Sequence, residues 1–234
     1  QAQTTMTPSR TTMAPSQTTM TPVQTTMAPS QTTMTPSQTT MAPLKVVCGV
    51  DMSTPSPNAP PNDNIWCADQ NIKSGTPNWI QLPGKLINLT VNKDGSMFGV
   101  NRSGGIYYAS SYKNPTWIQF SGALKQISSS NNVIMGVNSN DDIFYADQNI
   151  TTNPNWTQVG GKLIDVSVNP NGSAFGVNRA NNIYYSASYK TGGWLQLSGA
   201  LNRISSINNV VMGVAGDDTI WYADQNITTN PNWT

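Results

Sequence analysis

The side chains with chemistry to offer are few in kind and regular in spacing. All 11 acidic residues are aspartate, and the 234-residue chain holds no glutamate and no histidine. The commonest general acid–base and the commonest nitrogen ligand for a metal are therefore missing. A nucleophilic triad has no imidazole to build on. A glycosidase needs two carboxylates at a defined separation. Asp141 with Asp142, and Asp217 with Asp218, supply adjacent pairs, but in matched loops where aspartate serves as a turn former. No enzyme activity and no cofactor are expected. What remains is aromatic and amide chemistry: 7 Trp and 8 Tyr among many Asn, Gln and Asp. An aromatic face beside fixed polar groups is what a sugar ring requires.

The aromatics recur. Trp79, Trp117, Trp156, Trp194 and Trp233 lie 38, 39, 38 and 39 residues apart. A step of about 40 residues with aromatics and glycines at fixed offsets marks a β-propeller or a related array. Four blocks carry W-x-Q, G-x-L, a β-rich run, a G-V-N and an I-aromatic-Tyr, as in WIQLPGKLINLTVNKDGSMFGVNRSGGIYYAS and WTQVGGKLIDVSVNPNGSAFGVNRANNIYYSA. Alternation within the runs and Asn, Gly and Asp between them predict short strands and tight turns, about four strands per block. A longer period of 77 residues is superimposed, from Trp79 to Trp156 and from Trp117 to Trp194. Blocks one and three share an Asn-Arg and a Ser-Tyr-Lys, whereas blocks two and four end in ADQNITTNPNW. Two kinds of blade alternate. Val46–Val50 with Ile65–Gln70 matches the second half of the ADQN kind.

The pattern W-x-x-x-x-G-x-L-x-x-I-S followed by G-V-N-x-x-x-x-x-I-Y resembles the tectonin repeats of the tectonin and fish-egg-lectin family, over residues 45–234. Ala215 and Asp51 stand where the Asn of G-V-N would fall. The resemblance implies an all-β propeller, commonly one that binds sugars. Contact surfaces are expected at the variable blade ends: Tyr112 and Lys113, Asp147 and Gln148, Tyr189 and Lys190, Asp224 and Gln225. The repeated Trp set is expected to pack between blades. The glycans contacted would be external N-acetylated sugars or the chain's own.

Strand register predicts a disulfide. If Val50 faces Ile65 across the first hairpin, Cys48 faces Cys67, and opposed residues on antiparallel strands lie about 4.5–5.5 Å apart, within bridging range. The same order of strands leaves the first blade without an inner strand and ends the last at the start of its outer one. Continued alternation then predicts a longer native chain of six blades, with five as the alternative.

Ahead of the repeats, residues 3–44 are six copies of a heptad such as QTTMTPS. Proline every seven residues rules out a coiled coil, and the apolar content is too low to offset ordering entropy. Residues 1–44 read as an extended, mucin-like stalk, with O-glycans expected on Thr4, Thr5, Thr11, Thr12, Thr18, Thr19, Thr25, Thr26, Thr32, Thr33, Thr39 and Thr40. Seven N-x-S/T sequons occur, at Asn88, Asn101, Asn149, Asn155, Asn171, Asn226 and Asn232. The loop sites Asn149, Asn171 and Asn226 are expected to accept N-glycans. Gln1 as a first residue suits a mature chain whose signal has been removed.

A net charge of +1 gives no electrostatic case for nucleic acid, and no apolar run is long enough to span a membrane. These features together predict a secreted, extracellular glycoprotein with a lectin-like propeller on a stalk. The alternative is a structural subunit of an extracellular filament or coat, assembling through the stalk.

Overall fold

In the computed structural model, residues 46–56, 58–69, 72 and 75–234 are described. Residues 1–44, with the twelve threonines expected to carry O-glycans, lie outside the described residues. The repeats form five antiparallel meanders. The first sheet has three strands, β1 (Val47–Asp51), β2 (Asn64–Ala68) and β3 (Ile80–Lys85). The second holds β4 (Asn88–Val91), β5 (Met97–Val100), β6 (Ile106–Ala109) and β7 (Ile118–Phe120). The third holds β8 (Gln126–Ser130), β9 (Val133–Val137), β10 (Asp142–Ala146) and β11 (Thr157–Lys162). The fourth holds β12 (Asp165–Val168), β13 (Ala174–Val177), β14 (Asn182–Ser186) and β15 (Leu195–Ala200), and the fifth β16 (Arg203–Ile207), β17 (Val210–Val214) and β18 (Ile220–Ala223).

The first strands of successive sheets, β4, β8, β12 and β16, lie side by side, as the inner strands of propeller blades do. β1 occupies the second position of its blade and packs on β4. Among the described residues the first blade thus has no inner strand, as the order of motifs predicts. At the other end, Tyr222 and Thr234 exchange two 2.9 Å backbone hydrogen bonds, which pairs Thr234 in the outer position of the fifth blade. Among the described residues there are five blades, and no strand of the first touches a strand of the fifth.

The motif residues explain how blades stack. The Leu of G-x-L lies over the Gly of G-V-N in its own blade. A methyl added at Gly136 would meet Leu124 Cδ1 and the Gln126 carbonyl oxygen, each at 2.6 Å. The G-x-L glycine answers a second demand. Gly161 has φ +105°, and the Trp194 indole of the next blade reaches to within 2.9 Å of where its Cβ would stand. Between blades the core is aliphatic and aromatic. Met135, Val137 and Ile143 of the third blade pack with Val166, Val168 and Ala174 of the fourth.

Cys48 pairs with Cys67 in the β1–β2 register, and the two are joined in a disulfide. It closes the hairpin that carries the enlarged loop 52–63, where Asp51 accepts hydrogen bonds from Ser53 and Asn62.

Two outcomes follow from this packing. Gly136→Ala should cost about 1–3 kcal/mol, because the neighbour includes backbone that cannot move aside. A fall in the urea midpoint at unchanged slope would show it. Replacing both cysteines by alanine should cost about 3 kcal/mol on the chain-entropy model, read the same way under non-reducing conditions.

Candidate functional site

The residues expected at the blade ends meet across the blade boundaries. Tyr189 Oη donates to Asp147 Oδ2 at 3.1 Å, and Lys190 Nζ stands 2.6 Å from the same oxygen. One period earlier, Tyr112 Oη donates to Asp69 Oδ2 at 2.7 Å, with Lys113 3.8 Å away. Burial, then the bond to Asp69, pushes the Tyr112 phenol up to about 12, so it stays a donor. Lys190 holds the Asp147 carboxyl below its ordinary value against the opposing effect of burial, with help from Tyr189. Tyr112 is buried, while Gln148, Asp224 and Gln225 are exposed. Asn149, Asn171 and Asn226 all sit on exposed turns. Asn88 is half-buried in β4, where its Oδ1 accepts the Ile127 N–H at 2.9 Å.

A second latch was not read from the sequence. Arg102 of the second blade forks onto Asp63 of the first at 2.6 and 3.1 Å. Arg179 of the fourth forks onto Asp141 of the third at 2.5 and 3.1 Å, and Lys125 joins that carboxylate. Burial opposes ionisation of Asp141, but the two cations outweigh it and its pKa is lowered. Lys162, then Asn138, does the same for Asp142. The carboxylate pair that could on paper have served a glycosidase is therefore held ionised in ion pairs. The available signal was the alternation itself: Asn-Arg blocks follow blocks with Asp at the matching turn.

The tryptophans form a third latch. The indole N–H of Trp117, Trp156, Trp194 and Trp233 donates to the carbonyl of Pro83, Ser121, Gly160 and Ser198 in the preceding blade, at 2.8, 3.2, 2.9 and 2.9 Å. Beside two of them lie crevices. One, of about 310 Å³, is lined by Gly84, Lys85, Leu86, Asn101, Tyr107 and Trp117. The other, of about 410 Å³, brings Gly199, Leu201, Asp217, Thr219, Trp221 and Trp233 together. They are the same place in two repeats: Trp221 stands where Tyr107 does, and Trp233 where Trp117 does. Each offers two aromatic side chains, a glycine edge and polar groups. In the second, the Trp221 indole donates to Thr219 Oγ1 at 2.8 Å.

The inner strands border a polar cavity of about 620 Å³, lined by Thr90, Asn92, Ser128, Ser129, Ser167 and Ser206 among others. Side chains of one inner strand cap backbone N–H groups of the next. Gln126 Oε1 accepts from Val166 N at 3.2 Å, and Asp165 Oδ2 accepts from Ile204 N at 3.0 Å. Asp165 is buried, and desolvation raises its pKa to about 6, against the Ile204 bond and Arg203. Among the described residues no cluster of three or more potential metal-binding side chains occurs.

Repeats of about 40 residues, each a meander latched to the one before, define a β-propeller. The chain belongs to the Tectonin domain family, whose profile matches residues 60–234. No curated protein matches it. Among solved structures it is similar to a chain of the mitotic checkpoint complex, at 11% identity and a TM-score of 0.56, over 82% of this chain and 62% of that one. It is also similar to human WBSCR16, at 10% identity and a TM-score of 0.48, over 71% and 58%. At 11% identity the likeness to the checkpoint chain is one of fold alone, and the chain spans less than two thirds of either.

Asp165 gives the site a measurable pH signature. Its folded pKa lies above the unfolded 3.8, so its contribution is complete below that value and lost as pH rises through about 6. Asp165→Asn keeps an acceptor for Ile204, as Asn88 does for Ile127. The variant should exceed the parent in stability by ~1–3 kcal/mol at pH 8 and lose that advantage by pH 4. Urea titrations at the two pH values check it.

Proposed function

We propose that the chain is a carbohydrate-binding module of lectin type, taking sugar rings in the crevices between blades, and that it is a binding protein with no catalytic role. The observation that carries this reading is the repeated crevice at Tyr107 with Trp117 and at Trp221 with Trp233. An aromatic face takes the apolar face of a pyranose, while Asn101 or Asp217 with Thr219 is placed for its hydroxyl or N-acetyl groups. Pockets of this size suit one or two sugar units. The indole N–H groups of Trp117 and Trp233 are already committed to backbone carbonyls, so stacking rather than indole hydrogen bonding is the contribution of those rings.

The setting we propose is extracellular. The Cys48–Cys67 disulfide fits an oxidising compartment, and no helix among the described residues is long and apolar enough to cross a membrane. The Thr- and Pro-rich heptads fit an O-glycosylated stalk that holds the propeller away from its point of attachment.

Titration with N-acetylglucosamine and its oligomers, followed by NMR or calorimetry, tests the reading. Saturable binding should weaken at least roughly tenfold per crevice, about 1.4 kcal/mol, in Tyr107→Ala and in Trp221→Ala, and vanish in the double variant. Absence of binding to any glycan on an array would overturn it.

A further inference from the structure

Lys85 and Lys162 are each the middle residue of a G-x-L, and only one of them is neutralised. Lys162 pairs with Asp142, the first residue of β10, and Lys85 with Asn64, the first residue of β2. In the third blade, Lys162 Nζ donates to the Asp142 carboxylate and to the Asn140 carbonyl. In the first blade, Lys85 Nζ donates to Asn64 Oδ1 at 2.6 Å and to the Asn62 carbonyl at 2.5 Å, and neither acceptor carries a charge. Asp63, between those two asparagines, is taken by Arg102. All 11 aspartates of the chain are among the described residues, and none of them forms an ion pair with Lys85. The ammonium has three hydrogens, makes two bonds to neutral groups and belongs to an exposed side chain.

That cation lines the crevice of Tyr107 and Trp117. The matching residues at Trp194 repeat the rest of the arrangement. Asn101 Nδ2 donates to Tyr107 Oη at 3.4 Å, and Asn178 Nδ2 to Tyr184 Oη at 3.3 Å. The two places differ in whether the lysine has a carboxylate of its own blade. At Trp233 the lysine's position holds Ala200, and the described residues lining that crevice include Asp217 and no cation. Two bonds from Thr219, the hydroxyl's first, keep the Asp217 carboxyl below its ordinary value.

Resting on the crevice reading above, we propose that the crevice at Lys85 selects sugars bearing a negative group, a carboxylate or a sulfate ester, with the ring against Tyr107 and Trp117 and the anion on Lys85 Nζ. The anion takes the third N–H and leaves the other two bonds intact. Those bonds already position the ammonium, so little side-chain freedom is lost on binding. Lys162 has its counter-charge in Asp142 and offers an anion no such gain. Asp217 repels an anion, so the crevice at Trp233 is left to uncharged sugars.

The test compares two acidic sugars with their uncharged parents: glucuronic acid with glucose, and N-acetylglucosamine 6-sulfate with N-acetylglucosamine. Each is titrated into the full chain and followed by NMR at the indole N–H of Trp117 and of Trp233. At Trp117 the acidic sugar should bind about fivefold tighter than its parent at low salt, the scale of an exposed charge pair, and the margin should shrink as salt rises. At Trp233 it should bind no tighter. Lys85→Gln should bring the acidic sugar down to its parent's affinity, and Lys85→Arg should keep the preference. Asn64→Asp gives the first blade the carboxylate of the third. It should abolish the preference and leave N-acetylglucosamine binding unchanged. A preference for only one of the two acids upholds the proposal and identifies the anion. Equal binding of acidic and neutral sugars at Trp117, or a preference that survives Asn64→Asp, overturns the proposal and leaves the crevice reading standing. Binding of no sugar at Trp117 or Trp233 overturns both.

Discussion

Every blade here is a thin sheet that is apolar on both faces, and it must be covered twice. That requirement shapes the rest. A sheet of four short strands buries little by itself, and a blade becomes stable only by stacking on neighbours that close off both sides. The aliphatic contacts between Met135, Ile143, Val166 and Val168 are where the stabilisation arises. The Leu that lies on the G-V-N glycine, and the Trp that reaches back over the G-x-L glycine, are the means of bringing the sheets close enough for that contact. Glycine at these positions is a matter of space: a single methyl would collide with a side chain or with backbone.

The ionic latches have a different weight. Lys190 and Arg179 have side chains more than half exposed, and ion pairs of that kind add about 0–1 kcal/mol each. They cannot be what holds the propeller together. Their value lies in discrimination. Two blades of the ADQN kind placed side by side would oppose aspartate to a face with no cation, while the alternating kinds bring a cation of the next blade to Asp63, Asp69, Asp141 and Asp147. Apolar packing between near-identical repeats has little to distinguish one neighbour from another, and charge that is present on one kind only supplies the distinction.

This division of labour explains how much of the molecule is legible in the chain. The Trp spacing, the G-x-L and the G-V-N report stacking directly, because the same contact recurs in every repeat and leaves the same residues at each period. The Cys48–Cys67 bridge is legible because one hairpin's register fixes it. The latches are harder to read. Asp69 meets Tyr112, and Asp63 meets Arg102, across a boundary between unlike repeats, so neither pair lies within one copy of the motif. Tyr112, Lys113, Tyr189 and Lys190 stand out in the sequence as variable blade ends suited to a ligand, and the fold brings them to their neighbours' aspartates. Conversely, Tyr107 and Trp221 look like ordinary strand aromatics in sequence. They line crevices beside the latch tryptophans Trp117 and Trp233, whose indoles occupy the space over the neighbouring blade's glycine.

The inner strands show the same logic applied to the backbone. Each is the edge of its own sheet, with N–H groups that its sheet cannot satisfy. Asn88, Gln126 and Asp165 stand at one position in successive blades and cap the following strand's N–H. Thr90, Ser128 and Ser167 do so two residues further on. Polar side chains at the centre of the ring are therefore structural caps, and the cavity they border is polar for that reason. The aromatic crevices between blades have no such internal duty for the exposed face of Trp221 or the ring of Tyr107. Uncovered aromatic surface thus lies at the blade boundaries, beside the stacking that builds the fold, and the centre is left to hold the strands in order.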